Sequence, residues 1–216
     1  MPLNTYVFDA YGTLFDVHSA VRKHADSIGE EGPQLSEIWR TKQLEYSWVR
    51  ALMGSYTDFW KLTEEALDYA LAATPGVGAH WREKLLEAYW TLDCYPEVPG
   101  VLARLREEGA STAILSNGST EMLGAAVTSA GLDGLFDAVL SVDAVKTFKT
   151  APQVYQMVTD TFEVERPAIS FQSSNRWDIA GAARYGFNAV WINRVGQPDE
   201  YPAYTPDRVI GSLADL

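Results

Sequence analysis

Four groups of polar residues stand at the ends of apolar runs in this chain: Asp9, then Ser116-Asn117-Gly118, then Lys149, then Ser173-Ser174-Asn175 leading to Asp178. A carboxylate such as Asp9 can serve as a nucleophile, and an ammonium such as Lys149 beside it favours its ionised form. A second carboxylate, Asp178, would hold that lysine in place. Hydroxyls and amides from Ser116 and Asn117 add neutral donors of the kind that receive negative charge. Taken singly, each has a plain explanation. Asp9 could cap a turn, Ser116-Asn117-Gly118 could be only a turn signal, and Lys149 could be a solvated surface charge. Delivered together to one edge of one sheet, they read as a site.

The elements that must position them follow from the hydrophobic pattern. Residues 5–8 are β-prone and apolar and stop abruptly at Asp9-Ala10-Tyr11-Gly12-Thr13, as a buried strand feeding a loop should. Similar runs lie at 112–115, 138–142, 168–171, 189–192 and, weakly, 209–210, with helical patterns at 99–108, 120–130, 152–162 and 177–185 between them. This alternation predicts a parallel sheet covered by helices on both faces, with ligands bound beyond the carboxyl ends of the strands.

From about Val17 to Tyr95 the rhythm breaks into amphipathic helical patterns carrying Trp39, Trp48, Trp60, Trp81 and Trp90. The pattern predicts an α/β core over 1–16 and 97–216 with a helical insertion over 17–96. The break between its helices is expected at Ala72-Ala73-Thr74-Pro75-Gly76-Val77-Gly78, and the tryptophans are expected mainly as helix-packing residues.

Composition removes other classes. With 216 residues, 47% hydrophobic and 21% charged, the chain can bury a real core. A net charge of -12 argues against nucleic acid and anionic membrane surfaces, which need basic footprints. The same acidity would repel an anionic substrate at long range, so local cations become informative. Cys94 is the one cysteine, which leaves no disulfide and no thiolate metal cluster. No apolar run approaches the ~20 residues of a membrane span, and MPLNTYVF lacks the pattern of a secretory leader, so a cytoplasmic protein is expected.

Phe8-Asp9-Ala10-Tyr11-Gly12-Thr13-Leu14, Leu115-Ser116-Asn117-Gly118, Lys149 and Ser173-Ser174-Asn175-Arg176-Trp177-Asp178 resemble the ordered motifs of the haloacid dehalogenase superfamily. The resemblance covers the whole chain and implies a Rossmann-like core of that superfamily, with the insertion as a cap over the site. Phosphatases of the superfamily carry a second Asp two residues after the nucleophile and a further acidic metal ligand in the late motif. Here those places hold Tyr11 and the Ser173-Ser174-Asn175 run. The oxygen-rich shell of Mg²⁺ is therefore incomplete, and neither metal nor cofactor is expected. Tyr11 and the late motif resemble the L-2-haloacid dehalogenase branch.

That branch implies hydrolysis of short (S)-2-haloalkanoic acids to (R)-2-hydroxy acids with inversion, through an ester on Asp9. Lys149 would offset the repulsion between Asp9 and the substrate carboxylate. Ser116, Thr13 and loop amides would bind that carboxylate, and Arg40 and Asn117 would cradle the departing halide. Ala10, Tyr11, Leu44, Phe59 and Trp177 would line the substrate pocket. Water would then attack the Asp9 ester, activated by Asp178, with Asn175, Ser173 and Lys149 as alternatives for that role. Tyr155 and Ser173 match positions that support Lys149 and Asp178. The partners implied are a small 2-halo carboxylic acid and its halide, and relatives are commonly homodimers.

Some residues keep a rival reading. Trp39-Arg40-Thr41-Lys42 could be the solvated face of a helix, and Lys146 competes with Lys149, although spacing to Pro152 and Tyr155 favours Lys149. The branch usually has Lys-Pro-x-Pro where this chain has Lys149-Thr150-Ala151-Pro152, so Lys149 is expected to be held less rigidly. Thr41 replaces a longer polar side chain and is expected to reshape the pocket. The rival functions are a phosphatase of the same fold, an α/β-hydrolase dehalogenase, and a non-catalytic relative that binds small carboxylates. The second needs a late histidine, yet His18, His24 and His80 all fall in or near the insertion.

Overall fold

A computed structural model describes residues 3–216. The first two residues of the expected core therefore lie outside the described residues. The strands are β1 (Thr5–Phe8), β2 (Ser111–Ser116), β3 (Ala138–Ser141), β4 (Ile169–Ser173), β5 (Asn188–Ile192) and β6 (Arg208–Ile210). They form one sheet in the order β3-β2-β1-β4-β5-β6, and every pairing is parallel.

In this order β1 is central, and the chain leaves it toward β2 on one side and returns as β4 on the other. Phe8 pairs in register with Ile114 and with Gln172. Asp9 therefore stands level with Leu115 and Ser173, one residue beyond the paired ends. That reversal of strand order opens the crevice in which such sheets bind ligands.

The helices of the core are α6 (Val98–Glu107), α7 (Thr120–Ser129), α8 (Pro152–Phe162) and α9 (Arg176–Tyr185), following the inserted α1 (Ser19–Arg22), α2 (Ala25–Ile28), α3 (Gly32–Met53), α4 (Phe59–Ala73) and α5 (Arg82–Trp90). The expected strands and core helices are present, with ends that differ by a residue or two.

The inserted helices are more broken than expected. Thr74 to Gly78 does separate two helical pieces, but a second break at 54–58 divides α3 from α4. Gly54 ends α3 with φ +63°, and the Asp58 side chain accepts from the Lys61 N–H at 2.9 Å to cap α4. Both residues are ordinary helix-boundary signals.

On α3 the buried stripe runs through Leu35, Trp39, Gln43 and Ser47 at four-residue spacing, which packs α3 on α4. Trp39 and Trp81 are buried and Trp60 and Trp90 pack together at 4.4 Å, as helix-packing residues should. Trp48 differs, being exposed on the face toward α9.

The two linkers of the insertion run side by side. Phe15 and Cys94 form an antiparallel bridge, Asp16 N–H donates to the Asp93 carbonyl at 2.8 Å, and Tyr95 N–H donates to the Leu14 carbonyl at 3.0 Å. Arg194 fastens this neck, stacking over the Tyr95 ring at 3.8 Å, pairing with Glu97 at 2.6 Å and donating to the Thr13 carbonyl at 3.0 Å. Among the described residues no helix is long and apolar enough to cross a membrane.

Candidate active site

The loop after β1 is wound tightly enough to turn Asp9 into the crevice. The Ala10 carbonyl accepts from the N–H groups of Thr13, Leu14 and Phe15, and Gly12 sits at φ +92°, a conformation that strains any residue with a Cβ. The Asp9 carboxylate is almost fully buried, so its charge needs partners. Oδ1 accepts from Lys149 Nζ at 3.0 Å. Oδ2 accepts from Thr13 Oγ1 at 3.1 Å, Ser173 Oγ at 3.2 Å and Asn175 Nδ2 at 2.7 Å.

Lys149 is 1% exposed, and its ammonium also donates to Asp178 Oδ2 at 2.7 Å. Burial works against its charge, but Asp178 and Asp9 outweigh that and raise its pKa. Its own N–H donates to Asn117 Oδ1 at 2.9 Å, and the Lys149–Thr150 peptide bond is cis. The expectation of a loosely held Lys149 is thus corrected. Three hydrogen-bond anchors fix it without the missing proline. Lys146 is exposed and lies over the Tyr56 ring at 5.2 Å, away from Asp9.

Asp178 lies in the first turn of α9, where the helix dipole favours an anion. It is fully buried, and burial foremost pushes its pKa up to about 6, with Lys149 opposing the rise and Asp9 adding to it. Its Oδ1 accepts from the Tyr155 hydroxyl at 2.8 Å. Burial and the nearby Asp178 raise the Tyr155 pKa far above the usual phenol value, so this proton stays on the oxygen. Only glycine at 181 allows the arrangement, because a Cβ there would lie 2.2 Å from the Tyr155 hydroxyl.

Arg40 reaches across from α3 and donates to the Tyr11 carbonyl at 3.2 Å and to Asn175 Oδ1 at 3.4 Å. It is therefore not simply a solvated helix residue. Ser116 is buried, and its Oγ accepts from the Gly118 N–H at 3.1 Å. Tyr11 packs in near-parallel fashion on Phe59 at 6.3 Å, and Ala10 is fully buried.

Other expectations need amendment. The Thr13 hydroxyl donates to Asp9 Oδ2 at 3.1 Å and accepts from the Ser174 N–H at 2.8 Å, so its proton is already engaged by Asp9. Thr41 is exposed, so its short side chain does not reshape a buried pocket. Leu44 is half-buried one turn beyond Arg40. Trp177 turns outward, edge-on to Trp48 at 5.5 Å, in a groove of about 910 Å³ whose floor includes Lys149. Trp48 was not legible as a partner of Trp177, since nothing in the sequence joins α3 to α9.

Among the described residues no group of three or more His, Cys, Asp or Glu could hold a metal ion. Cys94 is half-buried beside Glu97, and burial first of all pushes its thiol up to about 11.

A match to the haloacid dehalogenase-like hydrolases spans residues 3–186. (S)-2-haloacid dehalogenase 1 of Pseudomonas sp. (strain CBS-3) is 48% identical over 100% of this chain and 95% of its own length. The chain belongs to the L-2-haloacid dehalogenase family. A crystal structure of a dehalogenase superposes on this haloacid dehalogenase-like hydrolase with a TM-score of 0.96 at 45% identity, covering 99% of this chain and 95% of the other. The L-2-haloacid dehalogenase of Xanthobacter autotrophicus with chloropropionic acid covalently bound gives 0.90 at 38% identity, over 99% of this chain and 96% of that one. The dehalogenase fold thus extends across the insertion as well as the sheet.

Proposed function

We propose that this chain hydrolyses short (S)-2-haloalkanoic acids to (R)-2-hydroxy acids with inversion, through an ester on Asp9 and without a metal. The asymmetry of Asp9 carries the reading. Oδ2 is held by three donors, whereas Oδ1 meets Lys149 alone among the described residues. Oδ1 is therefore the oxygen with lone-pair density to spare. It attacks C2 from the side opposite the halogen, and the carbon–halogen bond breaks with its electron pair leaving on the halide.

Arg40 and the Asn117 amide receive that anion. The Ser116 hydroxyl and the amides of Ala10 and Tyr11 hold the substrate carboxylate, and Lys149 offsets the meeting of two anions. Tyr11, Leu44 and Phe59 form the apolar walls, while Trp177 closes the outer side.

In the second step Oδ2 is the ester carbonyl oxygen. Water attacks its carbon and passes a proton to Asp178, and the charge that develops on Oδ2 falls on Thr13, Ser173 and Asn175, already in place. Collapse expels the alkoxide, which takes the proton from Asp178, and Asp9, left as a carboxylic acid containing the water oxygen, releases the second water proton to solvent and regains its carboxylate. Covalently held chloropropionic acid in the Xanthobacter relative supports an ester of this kind. A metal-free route is supported by the Lys149 ammonium, which stands between the two carboxylates where a cation would bind.

Within this reading, residues 17–96 act as a cap on a core formed by 1–16 and 97–216. A homodimer and a cytoplasmic setting belong to the same proposal. Exposed Trp48, Val49, Leu52 and Met53 along one stretch of α3 support the first, and a lone free cysteine suits the second.

Halide release from L- and D-2-chloropropionate in excess EDTA tests the proposal. Release is expected from the L isomer only and undiminished by the chelator. A requirement for Mg²⁺, or silence with every haloacid, would overturn it. The pH profile gives a second check. Asp178 must be deprotonated to act as base, so turnover is expected to fall as pH drops through about 6, the value to which its pKa is raised. Ester should accumulate on Asp9 on the acid side. An acid limb with no build-up of ester would remove Asp178 from the hydrolytic step.

A further inference from the structure

Asp9, Lys149 and Asp178 are buried, so a substrate must cross the surface to reach them. The groove outside Trp177 meets the site at Lys149, which lines the groove and donates to Asp9 Oδ1 at 3.0 Å. Its charge is opposite to that of the molecule. The chain carries 29 acidic against 17 basic residues, yet the groove is lined by Lys149, Arg166 and Arg184 and by no aspartate or glutamate.

Lys149 is neutralised by Asp9 and Asp178, whereas neither arginine forms an ion pair among the described residues. Arg166 is fixed by other means, donating from Nη1 to the Tyr185 carbonyl at 3.3 Å and stacking over the Tyr185 ring at 4.1 Å. Arg184 is exposed in the last turn of α9. Of the two acids that precede Tyr201 of the groove wall, Asp199 is taken up by Arg176 at 2.6 Å. Trp48, Trp177 and Tyr185 add aromatic wall. Two unneutralised cations beside aromatic rings suit an anion with a short apolar body.

We infer that this groove is the entrance to the site, and that Arg166 and Arg184 draw the haloacid carboxylate into it against the net charge of -12. The inference deepens the proposed function and rests on it for the identity of the anion. A cleft lined by one sign of charge focuses the field and raises the local concentration of its counter-ion, which acts on encounter rather than on chemistry. Arg184 stands six residues along α9 from Asp178, about 9 Å of helix, within the ~10 Å over which a charge is felt at 0.1 M salt.

Arg184→Gln removes the charge of a side chain that packs in no ion pair. It is expected to lower kcat/KM for L-2-chloropropionate about threefold at low ionic strength, and Arg166→Gln/Arg184→Gln about tenfold, with kcat unchanged. Arg184→Lys keeps the charge and should behave as the parent. Sodium sulfate at an ionic strength of about 1 M, where the screening length is about 3 Å, should erase the differences. Tryptophan fluorescence gives a readout independent of turnover. Because Trp48 and Trp177 line the groove, quenching by iodide should fall in Arg184→Gln, while quenching by neutral acrylamide stays as in the parent. A loss in kcat instead of kcat/KM, or equal iodide quenching in parent and variant, would overturn the inference, and a groove covered by a second copy of the chain would give the latter result. If iodide quenching responds to Arg184 but no haloacid is turned over, the proposed function fails and the anion entrance stands.

Discussion

Asp9→Asn is expected to reduce halide release from L-2-chloropropionate by about 10⁴-fold or more, as removal of a covalent nucleophile does. The geometry makes the loss unusually complete. An amide must point its NH₂ either at the Lys149 ammonium or at the three donors on Oδ2, so a donor meets a donor in both orientations. Neither orientation leaves an anionic oxygen facing the substrate. The companion measurement is a single turnover of the parent protein in ¹⁸O-water with enzyme in excess. Label should enter Asp9 while the first product stays unlabelled. Label appearing directly in the product, with none in Asp9, would replace the ester with direct attack by water.

Lys149→Met should be the most damaging substitution for the fold as well as the chemistry. The ammonium lies 3.0 Å from Asp9 and 2.7 Å from Asp178, and all three groups are buried. Removing one partner from a buried ionic cluster costs about 3–5 kcal/mol, because the remaining charges keep their desolvation penalty without the attraction. Loss of the cation that offsets substrate repulsion should lower turnover by about 10³-fold. Denaturant midpoints for Lys149→Met and Lys149→Met/Asp178→Asn separate the two effects. The second change removes one stranded charge, so part of the stability should return while activity does not. Equal midpoints in the two variants would mean that Asp178 is already neutral once the lysine is gone.

Much of the core was legible because chemistry and architecture coincide there. Asp9, Ser116, Lys149 and Asp178 follow successive strands, and a parallel sheet can only bring such positions to one edge. The cap was less legible. Gln43, Thr63 and Tyr89 are joined there by buried hydrogen bonds, but Tyr89 and Thr63 sit within helical patterns where an aromatic or a small residue reads as packing. Gln43 did leave a trace, as an amide on the stripe Leu35-Trp39-Gln43-Ser47, where an apolar residue belongs. Thr41 was misjudged because adjacency to Arg40 along the chain says nothing about helical phase, which turns it to solvent. Lys149 was judged by loop stiffness alone, when its anchors come from Asn117, Asp9 and Asp178, distant in sequence.

The paired linkers at Phe15 and Cys94 give the molecule one narrow stalk between its two parts. Arg40, Phe59 and Tyr89 lie beyond that stalk, while Asp9, Lys149 and Asp178 stay below it. On the proposed function, a change within the helical block alters the groups that meet the substrate while leaving in place the apparatus that makes and breaks the ester. On that reading, reactivity sits in the core and substrate choice in the insertion, joined by the paired linkers and by contacts such as Arg40 to Tyr11 and Asn175 and Trp48 to Trp177.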